Sequence, residues 1–371
     1  MRRSTRLLIL ILLVLPLVAA PKRAKNVIIL IADAGGIPTL NAASWHGYGA
    51  PQKLYVQSWP YLALSDTSPA DYTVTDSAAG MTAIVTGVKT LNGVLSMGPD
   101  TERGKRDGTI LKTLLEYAEE RGLSTGVVSN MNITDATPGA CYAHANIRSA
   151  SAQIFAQIFK PRFGDGVDVV LGAGRQSILK AGSKAGLDLA AMAADHKRPM
   201  HASLSEVGTN ERRPIVVVDK DFDVPAATRL ALQLLSQNKS GYFLMVEWDA
   251  HTTDPRRGLD AVVGFDKLIR EIVSRVNLKE TMLLFAADHS FDLRTIGGIK
   301  RNEPLLKGLD EWKATHKAGE EIQIPGLRVG RSHTGEEVLA TAQGPGAERL
   351  RGFIPNTALF DLVLRAYGWK R

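Results

Sequence analysis

From residue 26 onward, short and almost unbroken apolar runs alternate with longer amphipathic stretches. The runs 27–31, 124–128, 167–171, 214–218, 242–246 and 282–286 are aliphatic or β-branched and bounded by polar residues or glycine. That is the pattern of strands covered on both faces. Between them, 109–121, 150–159, 226–235, 259–276 and 357–367 carry the spacing of helices. The alternation predicts an α/β fold: a three-layer sandwich with a mostly parallel central sheet and helices on both faces. Two segments break the rhythm, one near 174–213, rich in Ala, Lys and Arg, and one near 293–331, polar and punctuated by Gly and Pro. They read as insertions on a single domain over 21–371, of the kind that caps a site.

Composition narrows the class. With 371 residues, 44% of them hydrophobic, there is enough apolar side chain to exclude a disordered chain, and the single cysteine, Cys141, excludes a disulfide scaffold. The formal charge of +7 invites a nucleic-acid reading, but its location removes that reading. Residues 1–25 hold Arg2, Arg3, Arg6, Lys22, Arg23 and Lys25 and no acid, which leaves 39 bases (45 less six) against 38 acids for the rest. Nucleic acid is therefore not expected as the main partner. The basic start, the 14 apolar residues of 7–20 and the small residues Val18, Ala19 and Ala20 form the pattern of a secretory signal. Residues 1–20 are expected as that signal, and the protein as periplasmic or secreted. Pro21 sits awkwardly just beyond a cut after Ala20, so cleavage and retention as an anchor both stay open. No later segment is long and apolar enough for a transmembrane helix, so none is expected in the mature body.

The chemistry gathers where an α/β sheet would collect it, at the carboxyl ends of strands. The run 27–31 leads into Asp33, the run 242–246 into Glu247, Asp249 and His251, and the run 282–286 into Asp288 and His289; His333 follows the second insertion. Singly, an Asp after a strand is a helix cap or turn residue, and an Asp–His pair is structural. Four such places on one scaffold point to a metal site. Carboxylate and imidazole without thiolate suit zinc or a similar ion, with magnesium at an all-oxygen position. Ser77, followed by Ala78, Ala79 and Gly80, is placed to open a tightly packed helix whose positive end favours phosphate. Ser77 or Asp76 could equally be only the helix cap. A Gly-x-Ser-x-Gly elbow, a Walker A loop and a dinucleotide fingerprint are all missing, which argues against the corresponding enzyme classes.

Taken together, these segments resemble the metal-dependent alkaline phosphatase family. Val74-Thr75-Asp76-Ser77-Ala78-Ala79 with Thr86-Gly87-Val88-Lys89-Thr90-Leu91-Asn92-Gly93 is similar to its nucleophile segment. Asp135-Ala136-Thr137-Pro138 with His144 and Arg148, then Ala287-Asp288-His289-Ser290 and Ser332-His333-Thr334-Gly335-Glu336, match later motifs in order. The resemblance implies an alkaline-phosphatase-like fold and a phosphate monoester hydrolase acting through a phosphoserine at Ser77, with Arg148 gripping the phosphoryl group. It also implies two zinc ions, one on Asp33, Asp288 and His289 and the other on His251 and His333. One magnesium ion would lie on Asp33, Thr137 and Glu247, with Asp135 orienting metal-bound water. Small phosphomonoesters are the implied substrates, and a homodimer is the implied assembly.

Two departures stand out. The family usually places its strand-end Glu nine residues before the zinc-binding His, with an Asp four before it. Here Glu247 and His251 are four apart. Asp249 could supply the missing carboxylate, or Glu247 itself could, leaving the magnesium site incomplete; Asp254 reads better as a helix-start residue. Ala32 and Ala34 also flank Asp33 where the family favours glycine. Two further readings remain beside the monoesterase: a phosphodiesterase or phosphonate hydrolase on the same metal core, and a metal-binding homologue without turnover.

Overall fold

A computed structural model describes residues 23–371; the expected signal over 1–20 lies outside the described residues. The principal strands are β1 (Asn26–Asp33), β2 (Tyr61–Asp66), β3 (Ser124–Asn132), β4 (Val169–Ala173), β5 (Met200–His201), β6 (Ile215–Val218), β7 (Tyr242–Asp249) and β8 (Thr281–Ala286). A smaller antiparallel sheet holds β9 (Ser290–Thr295), β10 (Ile322–Ile324) and β11 (Leu327–Thr334), after which β12 (Val338–Gln343) and β13 (Gly352–Pro355) return to the main one. The main sheet has ten strands in the order β13-β2-β12-β8-β1-β7-β3-β4-β6-β5. Only the two pairings made by β12 are antiparallel.

The helices are α1 (Ile37–Tyr48), α2 (Ser77–Thr86), α3 (Leu114–Glu119), α4 (Ala136–Tyr142), α5 (Ser151–Ala156), α6 (Arg175–Lys184), α7 (Leu189–Asp195), α8 (Val224–Leu235), α9 (Pro255–Arg275), α10 (Leu309–Thr315) and α11 (Thr357–Tyr367). The strand period of two explains the layers. On β1, Val27, Ile29 and Ile31 enter one core with Met81 of α2 and Phe360 of α11. The intervening Ile28, Leu30 and Ala32 enter the other, with Leu40 of α1 and Phe265 of α9. Each strand residue thus has a helix-covered side to fill, which is why these runs read as continuously apolar.

The six strands expected from the apolar runs all form. Two helix boundaries shift inward: the expected helix over 109–121 is only Leu114–Glu119, because Thr113 caps it in a capping box with Glu116. The expected helix over 150–159 shortens to Ser151–Ala156. The segment near 293–331 differs from a free cap. Leu293, Leu305, Leu309, Ile322, Leu327 and Val329 are buried in the same core as α1 and α9, so the segment is packed into the body. Of its two longer strands, β9 leaves the Asp288–His289 end of the sheet and the antiparallel β11 returns to it, with Phe291 of β9 paired opposite His333 of β11.

Candidate active site

Register sets the floor of the site. Parallel pairing places Asp33 beside Asp249, and Glu247 between Ile31 of β1 and Ser129 of β3. Asp288 and His289 follow β8 on the other side of β1. Residue Ala34, directly after Asp33, adopts the left-handed conformation at φ 62°. That turn is what glycine provides freely and a side chain resists. It brings the Ala34 N–H to Asp288 Oδ1 at 3.3 Å.

Ser77 opens α2, and Asp76 caps that helix by accepting from the Ala79 N–H at 3.1 Å. Asp76 is therefore the cap, and Ser77 is the first residue of the helix. Gly80 is needed here, since a Cβ at that position would lie 2.5 Å from the Asp288 carbonyl oxygen. Its absence lets α2 close on the Asp288–His289 segment, and Ser77 Oγ sits 3.2 Å from His289 Nε2.

Arg148 reaches the same corner from the far side. Its Nη1 donates to Asp76 Oδ2 at 3.0 Å and its Nη2 to Asp135 Oδ1 at 2.8 Å. Two acids thus fix the guanidinium plane, and its remaining N–H groups stay available for a phosphoryl group. Nothing local in the sequence ties Asp76 to Arg148, 72 residues away.

The imidazoles are oriented by their Nδ1 atoms. His289 Nδ1 donates to the Ser290 carbonyl at 3.0 Å, His333 Nδ1 to the Thr75 carbonyl at 2.9 Å, and His251 Nδ1 to Asp249 Oδ1 at 2.8 Å. All three rings consequently present an unprotonated Nε2 in their neutral form. His251 Nε2 and His333 Nε2 face each other at 3.5 Å. Two lone pairs at that separation repel unless a proton or a metal ion lies between them; against burial, Asp249 and Asp33 raise His251, and Asp288 and Asp33 raise His289 to about 9.

The carboxylates make the same statement. Asp33 Oδ1 is buried, 3.2 Å from His289 Nε2 and 3.7 Å from His251 Nδ1, yet accepts no well-aligned hydrogen bond. Glu247 is fully buried; Ser129 Oγ donates to its Oε2, while Oε1 has no partner. Thr137 Oγ1 lies 3.4 Å from Asp288 Oδ2. Burial and the nearby Asp33 charge push Asp288 up to about 6 and raise Glu247 well above the carboxylate range. Burial also opposes ionisation of Asp33, but His289 and His251 outweigh it and hold that carboxyl low. Burial, reinforced by the neighbouring His289, takes His333 down to about 4. Orphaned buried oxygens beside inward-facing imidazoles fit divalent cations. The potential ligand atoms fall into three groups, each spanning no more than 4.8 Å: Asp33, Asp288 and His289; His251, His289 and His333; and Asp33, Asp249 and His251.

Every residue expected at the site therefore lies at the carboxyl end of the sheet, with Asp135 drawn against Arg148. Asp254 caps α9 through the Arg256 and Arg257 N–H groups, as its position implies. Sequence reasoning missed four supports: Asp76 on Arg148, Ser129 on Glu247, Asn130 accepting from the Asp249 N–H at 2.9 Å, and Arg257 on Asp249.

The chain resembles known proteins over nearly its whole length. Alkaline phosphatase 4 of Bacillus subtilis is 27% identical over 92% of this chain and 88% of its own length. The streptomycin-6-phosphate phosphatase of Streptomyces griseus is 28% identical over 94% and 92% respectively. Among solved structures, the Thermus thermophilus alkaline phosphatase superposes with a TM-score of 0.77 at 20% identity, covering 94% of this chain and 92% of that one. A mutant of the TAB5 alkaline phosphatase with magnesium bound in its M3 site superposes with a TM-score of 0.75 at 24% identity, covering 95% of this chain and 100% of that one. The family model for alkaline phosphatase matches residues 24–196 and 220–324, and the chain belongs to the alkaline phosphatase family, as a metal-binding phosphatase.

Proposed function

We propose that this phosphatase hydrolyses phosphate monoesters through a phosphoserine on Ser77. One observation carries the reading. The Ser77 hydroxyl stands at the start of α2, 3.2 Å from His289 Nε2, in the corner where Arg148 is held flat by Asp76 and Asp135. Arg148 takes two non-bridging phosphoryl oxygens; a dianionic monoester keeps a third for the cations, whereas a diester has only two in all. In the first step the Ser77 hydroxyl proton passes to solvent water, Oγ bonds to phosphorus in line as the bond from phosphorus to the ester oxygen breaks, and that oxygen takes a proton from water to become the alcohol. In the second step water bonds to phosphorus and Ser77 leaves, regenerating the hydroxyl and releasing inorganic phosphate. The amide N–H groups at the start of α2 add positive potential throughout.

Asp33, Asp288 and His289 would hold one zinc ion, and His251 with His333 the other, with Asp249 beside them. Asp33, Thr137 and Glu247 would hold magnesium, as the magnesium in the M3 site of the TAB5 mutant encourages. Bound divalent cations supply Lewis-acid stabilisation of charge on the attacking and leaving oxygens. The reading includes export, resting on the character of residues 1–20, and a homodimer. No helix among the described residues is long and apolar enough to cross a membrane.

The test is direct. An aryl phosphate should be hydrolysed faster than the matched diester, with a chelator stopping turnover and Ser77→Ala abolishing the labelled phosphoenzyme. Diester preference would move the reading to a phosphodiesterase, and metal uptake without turnover on either ester to a binding role. Because the Streptomyces relative is named for streptomycin 6-phosphate, a phosphorylated aminoglycoside belongs in the substrate panel. Fractionation with N-terminal sequencing tests export, and sedimentation tests pairing.

A further inference from the structure

The connection from Glu247 to His251 is about five residues shorter than the family pattern leads one to expect, and Asp249 is the carboxylate nearest the gap. Both of its oxygens are already engaged. Oδ1 accepts from the His251 backbone N–H at 3.0 Å and from the ring Nδ1 at 2.8 Å. Oδ2 accepts from Arg257 Nη1 at 2.7 Å, and Arg257 Nη2 reaches the His251 carbonyl at 3.4 Å. One guanidinium on the first turn of α9 thus holds both ends of the turn 249–251.

This grip determines which nitrogen of His251 faces the site. With Nδ1 donating to Asp249, Nε2 turns to His333 Nε2 at 3.5 Å. Asp249 lies on the opposite edge of the ring. Among the described residues, no group of ligand atoms within 4.8 Å contains both Asp249 and His333; Asp249 groups with Asp33 and the His251 ring. An imidazole that binds a cation through one nitrogen and a carboxylate through the other is a common metal-site arrangement, in which the carboxylate orients and strengthens the ligand.

We propose that Asp249 is a positioning residue for His251 and not a ligand of the cation between His251 and His333, and that Arg257 locks it in that role. The inference rests on the metal-dependent reading above. The shortened segment then leaves this position with two imidazoles and fewer carboxylates than the position at Asp33, Asp288 and His289. Its cation should be the first that a chelator removes.

The experiment uses the full chain, stripped of metal and reloaded with zinc alone. Affinity is read by competition with a chromophoric chelator, and zinc is located by anomalous scattering. The expected structure has zinc against His251 Nε2 and His333 Nε2, with Asp249 still on Nδ1. Arg257→Ala and Asp249→Ala should each weaken the weaker zinc site about 10- to 100-fold. The double variant should be no weaker than Asp249→Ala, because Arg257 acts through Asp249, and Arg257→Lys should restore part of the loss. An Asp249 oxygen at the usual ligand distance of about 2.0–2.2 Å from zinc would overturn the inference while leaving the monoesterase reading intact. Unchanged zinc affinity in both single variants would overturn it too, reducing the contact to a structural one. A wild-type chain that takes up no zinc would sink the parent reading, and this inference with it.

Discussion

The two ends of the central sheet both bury acids, and they treat them differently. At the amino end, Glu119 Oε1 accepts from Thr125 Oγ1 at 3.1 Å and Oε2 from the Gly166 N–H at 3.0 Å. Beside it, Asp168 accepts from the Thr125 N–H at 2.9 Å and lies 2.9 Å from Arg213 Nε, while Arg198 donates to the Asp168 carbonyl. Each of these carboxylates finds partners within the chain. At the carboxyl end, Asp33 Oδ1 and Glu247 Oε1 find none, although both are buried. Burying a polar atom unpaired is costly, so a chain able to close one end could have closed the other. The contrast lies in the acids: at the amino end the atom without an aligned partner is a cation's, Arg213 Nε, already 2.9 Å from Asp168, whereas at the carboxyl end two carboxylate oxygens are left for a ligand.

The comparison can be broken first at the carboxyl end. Asp33→Ala should lower aryl phosphate turnover by about 10⁴-fold or more, the scale seen when one member of a catalytic set is lost. Glu119→Gln should leave turnover unchanged, and an equal loss in both variants would refute the contrast. Next in size, zinc at about 1,000 times its dissociation constant should stabilise the wild-type chain by about 4 kcal/mol in thermal unfolding, with most of that gain gone in Asp33→Ala. Arg148→Ala should lower kcat/KM about 10²-fold, as two charge-assisted hydrogen bonds to the phosphoryl group disappear. Asp76→Ala should give a smaller kinetic loss plus about 1 kcal/mol of stability for the missing cap.

At the amino end the expected effect is one of pH. Burial, opposed but not overcome by the Gly166 and Thr125 hydrogen bonds, lifts the Glu119 carboxyl from 4.5 to about 8. Between those values the folded chain keeps a proton that the unfolded chain has released, so stability falls as pH rises through the window and levels off above it. Glu119→Gln should remove that slope in denaturant titrations of the metal-free protein. Smallest of all, Ala34→Gly should raise stability by up to about 1 kcal/mol by relieving the left-handed backbone after Asp33.

Much of this was legible beforehand, and for a physical reason. A parallel strand covered on both faces must be apolar at every position, so β1, β3, β4, β6, β7 and β8 announce themselves. The first polar residue after such a run lies at the strand's carboxyl end, which is why Asp33, Glu247, Asp288 and His289 could be picked out. The edge strand β13 and its neighbour β2 were not visible. They are partly exposed, with Tyr61, Leu62 and Phe353 open to solvent, so no continuous apolar run marks them. Their neighbour β12 was missed too, although five of its six residues are at most partly polar and four are buried, because nothing in its sequence separates it from a loop strand. The segment near 293–331 looked like a cap because its polar and Gly/Pro-rich stretches outweigh its scattered apolar residues; only packing shows those residues joining the core.

The sequence by itself determined the layered fold, the strand ends that carry chemistry, the helix that opens at Ser77 and the place of the excess positive charge ahead of residue 26. These follow from burial periodicity and from capping, which act over a few residues. Only the tertiary structure decided that Asp76 shares Arg148 with Asp135, that Asp249 is held between His251 and Arg257, and which carboxylate oxygens are left without a partner. Those outcomes depend on which side chains distant in sequence arrive at the same corner, and on the directions in which their few hydrogen bonds can point.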